Sequence, residues 1–256
     1  GVDGAARPTR SAILGAPDKL AEDTVSGDFV YIHLSGHGTR QADQNGDESD
    51  GADEVFLPAD PARGEAGTAT MPNAIVDEEL GQRIAAMRRK GVDVWFVLDS
   101  CHSGSGLRAA SPRVATRFVD PATLGIELPD STEAAATAAV EGPGDADLPG
   151  KYVAFYSAQS SELAREIQVD DGDENSWYGL FTSRLAARLQ VNEALSYRQL
   201  FQAILSDLND DAVPGAARLQ TPLWDGNLIY APVFGGGDAV GVRQFAVDGN
   251  RIQAGK

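Results

Sequence analysis

The chain has 256 residues, 42% of them hydrophobic, enough for a sizeable core, and a formal net charge of −17. That balance argues against a nucleic-acid partner, whose phosphates need Lys/Arg surfaces, and suits cationic ligands. A single cysteine excludes an internal disulfide and any multi-cysteine zinc site, and no apolar run reaches the ~20 residues needed to cross a bilayer.

In chain order, residues 9–20 predict a helix, with Ile13, Leu14 and Leu20 near one face and Pro17 weakening it. "DFVYIHLSG" predicts a strand over 28–35, rich in β-branched and aromatic residues and ended by Ser-Gly. "DQNGDESDGADE" (43–54) is an acidic loop punctuated by glycine, and "EVFLPAD" (54–60) a short strand stopped by Pro58. Asp77 is placed to cap a helix over 78–89, in which Leu80, Ile84 and Met87 recur at helical spacing. "DVWFVLDS" (93–100) has the continuous apolar character of a parallel strand covered on both faces. Residues 107–149 turn to Ala, Pro, Asp and Glu and predict an exposed linker, mostly loop. "KYVAFYSAQ" (151–159) is another buried strand, and helices follow near 177–190 and 197–209. Strands alternating with helices predict an α/β domain with a mainly parallel sheet flanked by helices.

Functional groups of open α/β sheets gather at the carboxyl ends of strands. Cys101 lies just past one such end, and Ser-Gly residues follow that let the backbone turn tightly and aim N–H groups at a reacting carbonyl. A nucleophilic thiol needs a base or a depressed pKa. Three histidines are available. His102 adjoins Cys101, and neighbouring side chains of an extended backbone point apart. His33 lies within its strand and suits packing or a hydrogen bond. His37, in "SGHG", stands at a carboxyl strand end as Cys101 does. If strands 28–35 and 93–100 are neighbours, the two side chains can meet. The bland alternative for a lone cysteine is a small buried hydrophobe.

"YIHLSGHGTR" followed by "VWFVLDSCHSG" resembles the caspase-like cysteine peptidases of family C14, in the metacaspase and bacterial orthocaspase branch. The likeness runs on through "DGADEVFLPAD", "AIVDEELGQRI", "KYVAFYSAQSSELARE", "YGLFTSRLAARL" and "QTPLWDG". It implies the caspase–hemoglobinase fold, an α/β sandwich, over 1–235, with 107–149 linking large- and small-subunit parts and 236–256 beginning a further module or tail. A first strand of the family domain has no counterpart at the start of the chain. The resemblance implies Cys101 as nucleophile, His37 as general base, and the amides of Gly38 and Cys101 as oxyanion hole. Ser35 and Asp99 match positions that line the family's S1 pocket, where a carboxylate selects Arg or Lys at P1.

The resemblance also implies that calcium is a possible ligand, at Asp53, Asp77 and Glu78, although Arg108 replaces a further family Asp. An EF-hand reading of Asp43, Asn45, Asp47 and Glu54 fails because Glu48 stands where that loop requires Gly. Self-cleavage is expected in the linker at Arg113 or Arg117, on the premise that the cut residue is exposed. Peptides or proteins are the expected partners, with no nucleic acid and no membrane. The expected protein is a monomer, soluble, with the cytoplasm favoured, and needs no cofactor for its chemistry. The competing class is a catalytically inactive scaffold that keeps the fold.

Overall fold

The computed structural model describes residues 6–46, 51–62, 68–101, 114–128, 147–159, 162–170, 173, 176–191, 194–209, 220–235, 246–248 and 251–253. Helix α1 (Arg10–Asp23) is followed by β1 (Phe29–Ser35), β2 (Gly38–Ala42), β3 (Ala52–Phe56), β4 (Ile75–Val76), α2 (Asp77–Arg89) and β5 (Asp93–Asp99). Next come β6 (Val114–Thr116), a 3-10 turn over Pro121–Leu124, β7 (Tyr152–Tyr156), β8 (Arg165–Gln168) and β9 (Trp177–Gly179). Helices α3 (Leu180–Gln190) and α4 (Tyr197–Leu208) precede β10 (Leu223–Asp225), and β11 (Ala246–Asp248) pairs with β12 (Arg251–Gln253).

The central sheet has the order β1-β5-β7-β10. The first three strands are parallel and β10 is antiparallel to β7. Alternation along β5 explains why both faces are covered. Trp95 and Val97 point into a core with Phe155, Phe181, Leu185, Tyr197 and Ile204. Val94, Phe96 and Leu98 point the other way, to Leu14, Ile84 and Met87. The period of two thus produces one layer of α3 and α4, a sheet, and a second layer of α1 and α2. Phe155 is fully buried, and truncation to Ala would cost ~3–5 kcal/mol.

Local differences from the sequence expectations have local causes. Thr9 is the N-cap of α1, its hydroxyl accepting from the Ala12 N–H, and Pro17 is accommodated inside the helix. Helix α2 begins at Asp77 itself, because the Glu79 carboxylate reaches back to the Val76 N–H and does the capping. The strand expected at 54–60 is shifted to 52–56, where it pairs with β2. Residues 177–179, expected as helix, form β9 against β8.

The larger correction concerns the linker. Within 107–149, residues 114–128 are not an exposed loop. Val114, Ala115 and Thr116 pair antiparallel with Ile167, Glu166 and Arg165, so β8 recruits this segment as a third strand in the order β6-β8-β9.

Candidate active site

Parallel pairing of β1 with β5 runs in register to the end, with Ser35 opposite Asp99. The loops after these two strands therefore leave the sheet side by side. Gly38 lies so close to the second loop that a Cβ there would stand 2.0 Å from the Cys101 carbonyl oxygen. Only glycine permits that approach, and it brings the residue after His37 against the backbone of Cys101. His37 itself is exposed, while Cys101 is 1% exposed and packs with Leu163, Ala164 and Phe118.

The Cys101 thiol donates to the Ala164 carbonyl at 2.9 Å. Burial pushes its pKa up to about 12, the Asp99 charge adds to the rise, and a hydrogen bond from the Arg117 backbone opposes it. His33 is held by its neighbours, Nδ1 at 3.0 Å from the Tyr31 hydroxyl and Nε2 at 3.1 Å from Thr182 Oγ1. Burial lowers its pKa, as befits a packed neutral ring.

Arg117 fills the space between the strand ends. It was expected to be exposed, and is 6% exposed instead. Its guanidinium donates to Ser35 Oγ at 2.8 Å and to the Asp99 main-chain carbonyl at 2.9 Å, and lies 3.7 Å from the Glu166 carboxylate. Its backbone is bound equally firmly: the Arg117 N–H donates to the Ala164 carbonyl at 3.0 Å, and its own carbonyl accepts from the Gly38 N–H at 2.9 Å. The Val119 N–H then donates to the Gly38 carbonyl. Arg113 and Arg108 lie outside the described residues.

Asp99, expected to meet a guanidinium with its carboxylate, uses that group differently. Oδ2 accepts from the Thr182 N–H at 3.0 Å and from its hydroxyl at 2.6 Å. The carboxylate thereby caps the first turn of α3, where the helix dipole favours negative charge. Oδ1 is buried without a hydrogen-bond partner among the described residues. Gly179 closes this wall, since a Cβ there would lie 2.0 Å from Asp99 Oδ2 and 2.9 Å from the Arg117 guanidinium carbon.

Thr182, Gly179, Ala164 and Glu166 were not anticipated as site residues. "SSELARE" and "WYGLFT" carry the only signal, because each stands beside a strand or helix start facing the carboxyl edge of the sheet. Gln220 fixes the first of these segments, accepting from the Arg165 N–H and donating to the Ser157 carbonyl.

The second candidate region is acidic. Asp53 is buried and accepts from Gln41 Nε2 at 3.2 Å, and burial pushes its pKa up. Glu78 accepts from Asn45 Nδ2 at 2.8 Å. Burial, with Glu78 and Glu54 next in effect, pushes Asp77 up to about 8. These carboxylates feel one another's charge, yet among the described residues no three His, Cys, Asp or Glu converge into a group that could hold a metal. As placed, Asp53, Asp77 and Glu78 do not form a calcium cage, and no chemistry is derived through one.

Residues 3–110 match the family described as metacaspase, peptidase C14 domain. Over that part the chain is similar to the metacaspases of peptidase family C14. Metacaspase-1B of Aspergillus fumigatus is 38% identical over 100 residues, covering 39% of this chain and 22% of the relative. Metacaspase-1A of the same species is 40% identical over 101 residues, covering 40% and 22%, and Metacaspase-1 of Emericella nidulans 38% over 101, covering 40% and 23%. The matched part thus spans less than a quarter of each of these metacaspases. A Geobacter sulfurreducens protein of known crystal structure superposes with a TM-score of 0.56 at 22% identity, covering 86% of this chain and 73% of that one; it shares the fold. The fold is the caspase-like α/β sandwich that the resemblance implied. No helix among the described residues is long and apolar enough to cross a membrane.

Proposed function

We propose that the protein is a cysteine endopeptidase that cleaves peptides and proteins after Arg or Lys through Cys101 and His37. One observation carries the reading. An arginine of the chain itself lies with its guanidinium on Ser35 and Asp99, its carbonyl on the Gly38 N–H, and its backbone against the Cys101 thiol. A bound P1 residue would need the same set of contacts.

Cys101 Sγ attacks the P1 carbonyl carbon, and His37 accepts the thiol proton and passes it to the leaving amine. The Gly38 N–H, with the Cys101 N–H, stabilises the oxyanion. Water then hydrolyses the thioester. A basic P1 side chain is favoured because the pocket offers a hydroxyl, a carbonyl and the carboxylates of Asp99 and Glu166 to a guanidinium, while Asp at P1 would meet like charge. Calcium is given no step in the reaction, because Asp53, Asp77 and Glu78 as placed do not converge on a cation among the described residues.

The inactive-scaffold reading draws on one fact, the near-complete burial of Cys101. Hydrolysis of an Arg-aminocoumarin peptide, with and without prior alkylation of the thiol, separates the two. Thiol-dependent turnover supports the peptidase, and inertness of the protein with its thiol intact supports the scaffold.

A further inference from the structure

We infer that His33 is a positioning residue for substrate specificity: as the neutral Nε2–H tautomer it directs the Thr182 hydroxyl onto Asp99 and so fixes the carboxylate beside the pocket for a basic P1 side chain. The inference rests on the peptidase reading above. It extends the pocket to a residue that touches neither the substrate nor the thiol.

The assignment comes from counting protons. Asp99 is fully buried, and a carboxylate accepts without donating. Its Oδ2 lies 2.6 Å from Thr182 Oγ1, the length of a hydroxyl bonded to an ionised oxygen. The one hydroxyl proton of Thr182 is therefore spent there. Two lone pairs remain on Oγ1, and two neighbours face them, His33 Nε2 at 3.1 Å and Ser35 Oγ at 3.2 Å. Each must donate, so His33 carries its proton on Nε2. Ser35 in turn accepts from Arg117 Nη1 at 2.8 Å, which leaves its own proton for Thr182.

The far side of the ring agrees. Nδ1 lies 3.0 Å from the Tyr31 hydroxyl. Burial pushes that phenol up to about 12, so it keeps its proton and donates to the bare nitrogen. Tyr31 is pinned by Trp95, ring centroids 4.7 Å apart, and by Phe234 at 5.8 Å. Burial lowers the His33 pKa, against the Asp99 charge and with that of Arg117, and a neutral ring is what the proton count requires.

The bonds thus run from Tyr31 to His33 to Thr182 to Asp99, every proton pointing towards the carboxylate. With both lone pairs of Oγ1 held by fixed donors, the Thr182 hydroxyl has one orientation. Together with the Thr182 N–H at 3.0 Å it commits Oδ2 to the start of α3. Oδ1, buried without a hydrogen-bond partner among the described residues, is the oxygen left over for a guanidinium. Without the Nε2–H donor, the hydroxyl can rotate away and the carboxylate can turn with it.

The test reads the ring directly. In 15N-labelled protein at pH 7, long-range ring correlations should show His33 as a single neutral tautomer protonated on Nε2, assigned by the signal lost in His33→Gln. Thr182→Val removes the acceptor but keeps the backbone N–H on Asp99, and should release the ring into a mixture of tautomers. In hydrolysis of an Arg-aminocoumarin peptide, His33→Phe should raise KM about fivefold, the scale of one hydrogen bond, with kcat changed less than about twofold. His33→Gln, whose amide can still donate to Thr182, should bring KM back to within about twofold of wild type. The double variant His33→Phe/Thr182→Val should lose no more than Thr182→Val alone, because His33 acts through that hydroxyl. A ring protonated on Nδ1, or cationic, at pH 7 would overturn the proposal. So would an unchanged KM in His33→Phe, equal losses in His33→Phe and His33→Gln, a loss confined to kcat, or additive losses in the double variant. If His33→Phe does not fold, the wild-type tautomer and its release in Thr182→Val still decide the matter. Inertness of the wild type towards the peptide would instead defeat the peptidase reading, and the ring spectrum would then judge the relay by itself.

Discussion

Two regions of this molecule gather carboxylates, and they give them opposite neighbours. Around Arg117, the Asp99 and Glu166 carboxylates share their space with a guanidinium, a helix N-terminus and donor hydroxyls. Around Asp77, the neighbours that dominate its field are Glu78 and Glu54, and the carboxyl is pushed up to about 8. Burial of a charge is tolerated where partners are built in, and otherwise moves the pKa. The first region thus has the character of a receptor for a cation on a peptide. The second keeps a proton for lack of one.

The largest expected effect breaks the comparison at its reactive end. Cys101→Ala should lower peptide hydrolysis by at least ~10³-fold and leave the chain uncut, since catalytic groups that act as a unit cannot be lost singly. His37→Ala should approach the same loss, and His102→Ala should fall far short of it. Steady-state rates for the three variants check this, and equal losses at His102 and His37 would reassign the base.

Asp99→Ala should come next, with kcat/KM for Arg peptides falling about 150-fold. That corresponds to ~3 kcal/mol, the order of cost when a buried cation loses a compensating charge near it; the Asp99 carboxylate itself bonds Thr182, so the turn of α3 that it caps would loosen as well. Asp99→Asn separates the two roles, because an amide oxygen can still accept from Thr182 while the negative charge is gone. If Asn restores thermal stability without restoring the preference for Arg, the charge selects and the hydrogen bonds hold. Efficient cleavage after Asp by the wild type would refute the pocket argument.

Ser35→Ala should cost less, about tenfold in kcat/KM for Arg peptides, as expected for one hydrogen bond to a charged group. Glu166→Gln should cost less again, about threefold, since its carboxylate stands 3.7 Å away at the pocket rim and partly exposed pairs contribute little.

The smallest effect sharpens the acidic side. The Asp77 pKa is raised on folding, so the folded protein binds the extra proton and stability is fully present below about pH 4. It declines as pH rises through about 8. Asp77→Asn should flatten that slope in thermal melts recorded from pH 5 to 8. Calcium that binds here should raise the wild-type Tm at pH 8 and give heat in calorimetry, with neither effect in Asp77→Asn; absence of both would leave this region a carboxylate cluster that holds protons and no metal.

How much of this was readable from residues alone divides along physical lines. The alternation of "DVWFVLDS" and "KYVAFYSAQ" between two apolar faces was enough to declare a sheet covered on both sides, because side-chain period and burial are local properties. "SGHG" and "DSCHSG" singled out His37 and Cys101, since each follows a strand and strand ends gather in a parallel sheet, while Gly38, Ser35 and Asp99 were implied by the family resemblance those motifs carry. Registry of Ser35 with Asp99 made that grouping real, and it could be anticipated only as a condition.

What composition could not reveal is the fate of "VATRFV". Val114, Thr116, Phe118 and Val119 favour strands, yet the stretch is short and set among Ala-, Pro- and acid-rich sequence, so propensity alone gives it no partner. Its structure comes from partners far along the chain: Ile167, Glu166 and Arg165 supply a sheet edge, Ala164 and Gly38 bind its backbone, and Ser35 and Asp99 receive its arginine. Likewise Asp99 could be recognised as a charge in a pocket, yet the use of its carboxylate on Thr182 and its main-chain carbonyl on Arg117 depends on where α3 begins in space. Residue type and period decide which side chains are buried. Only the meeting of distant strands decides which buried polar groups find each other.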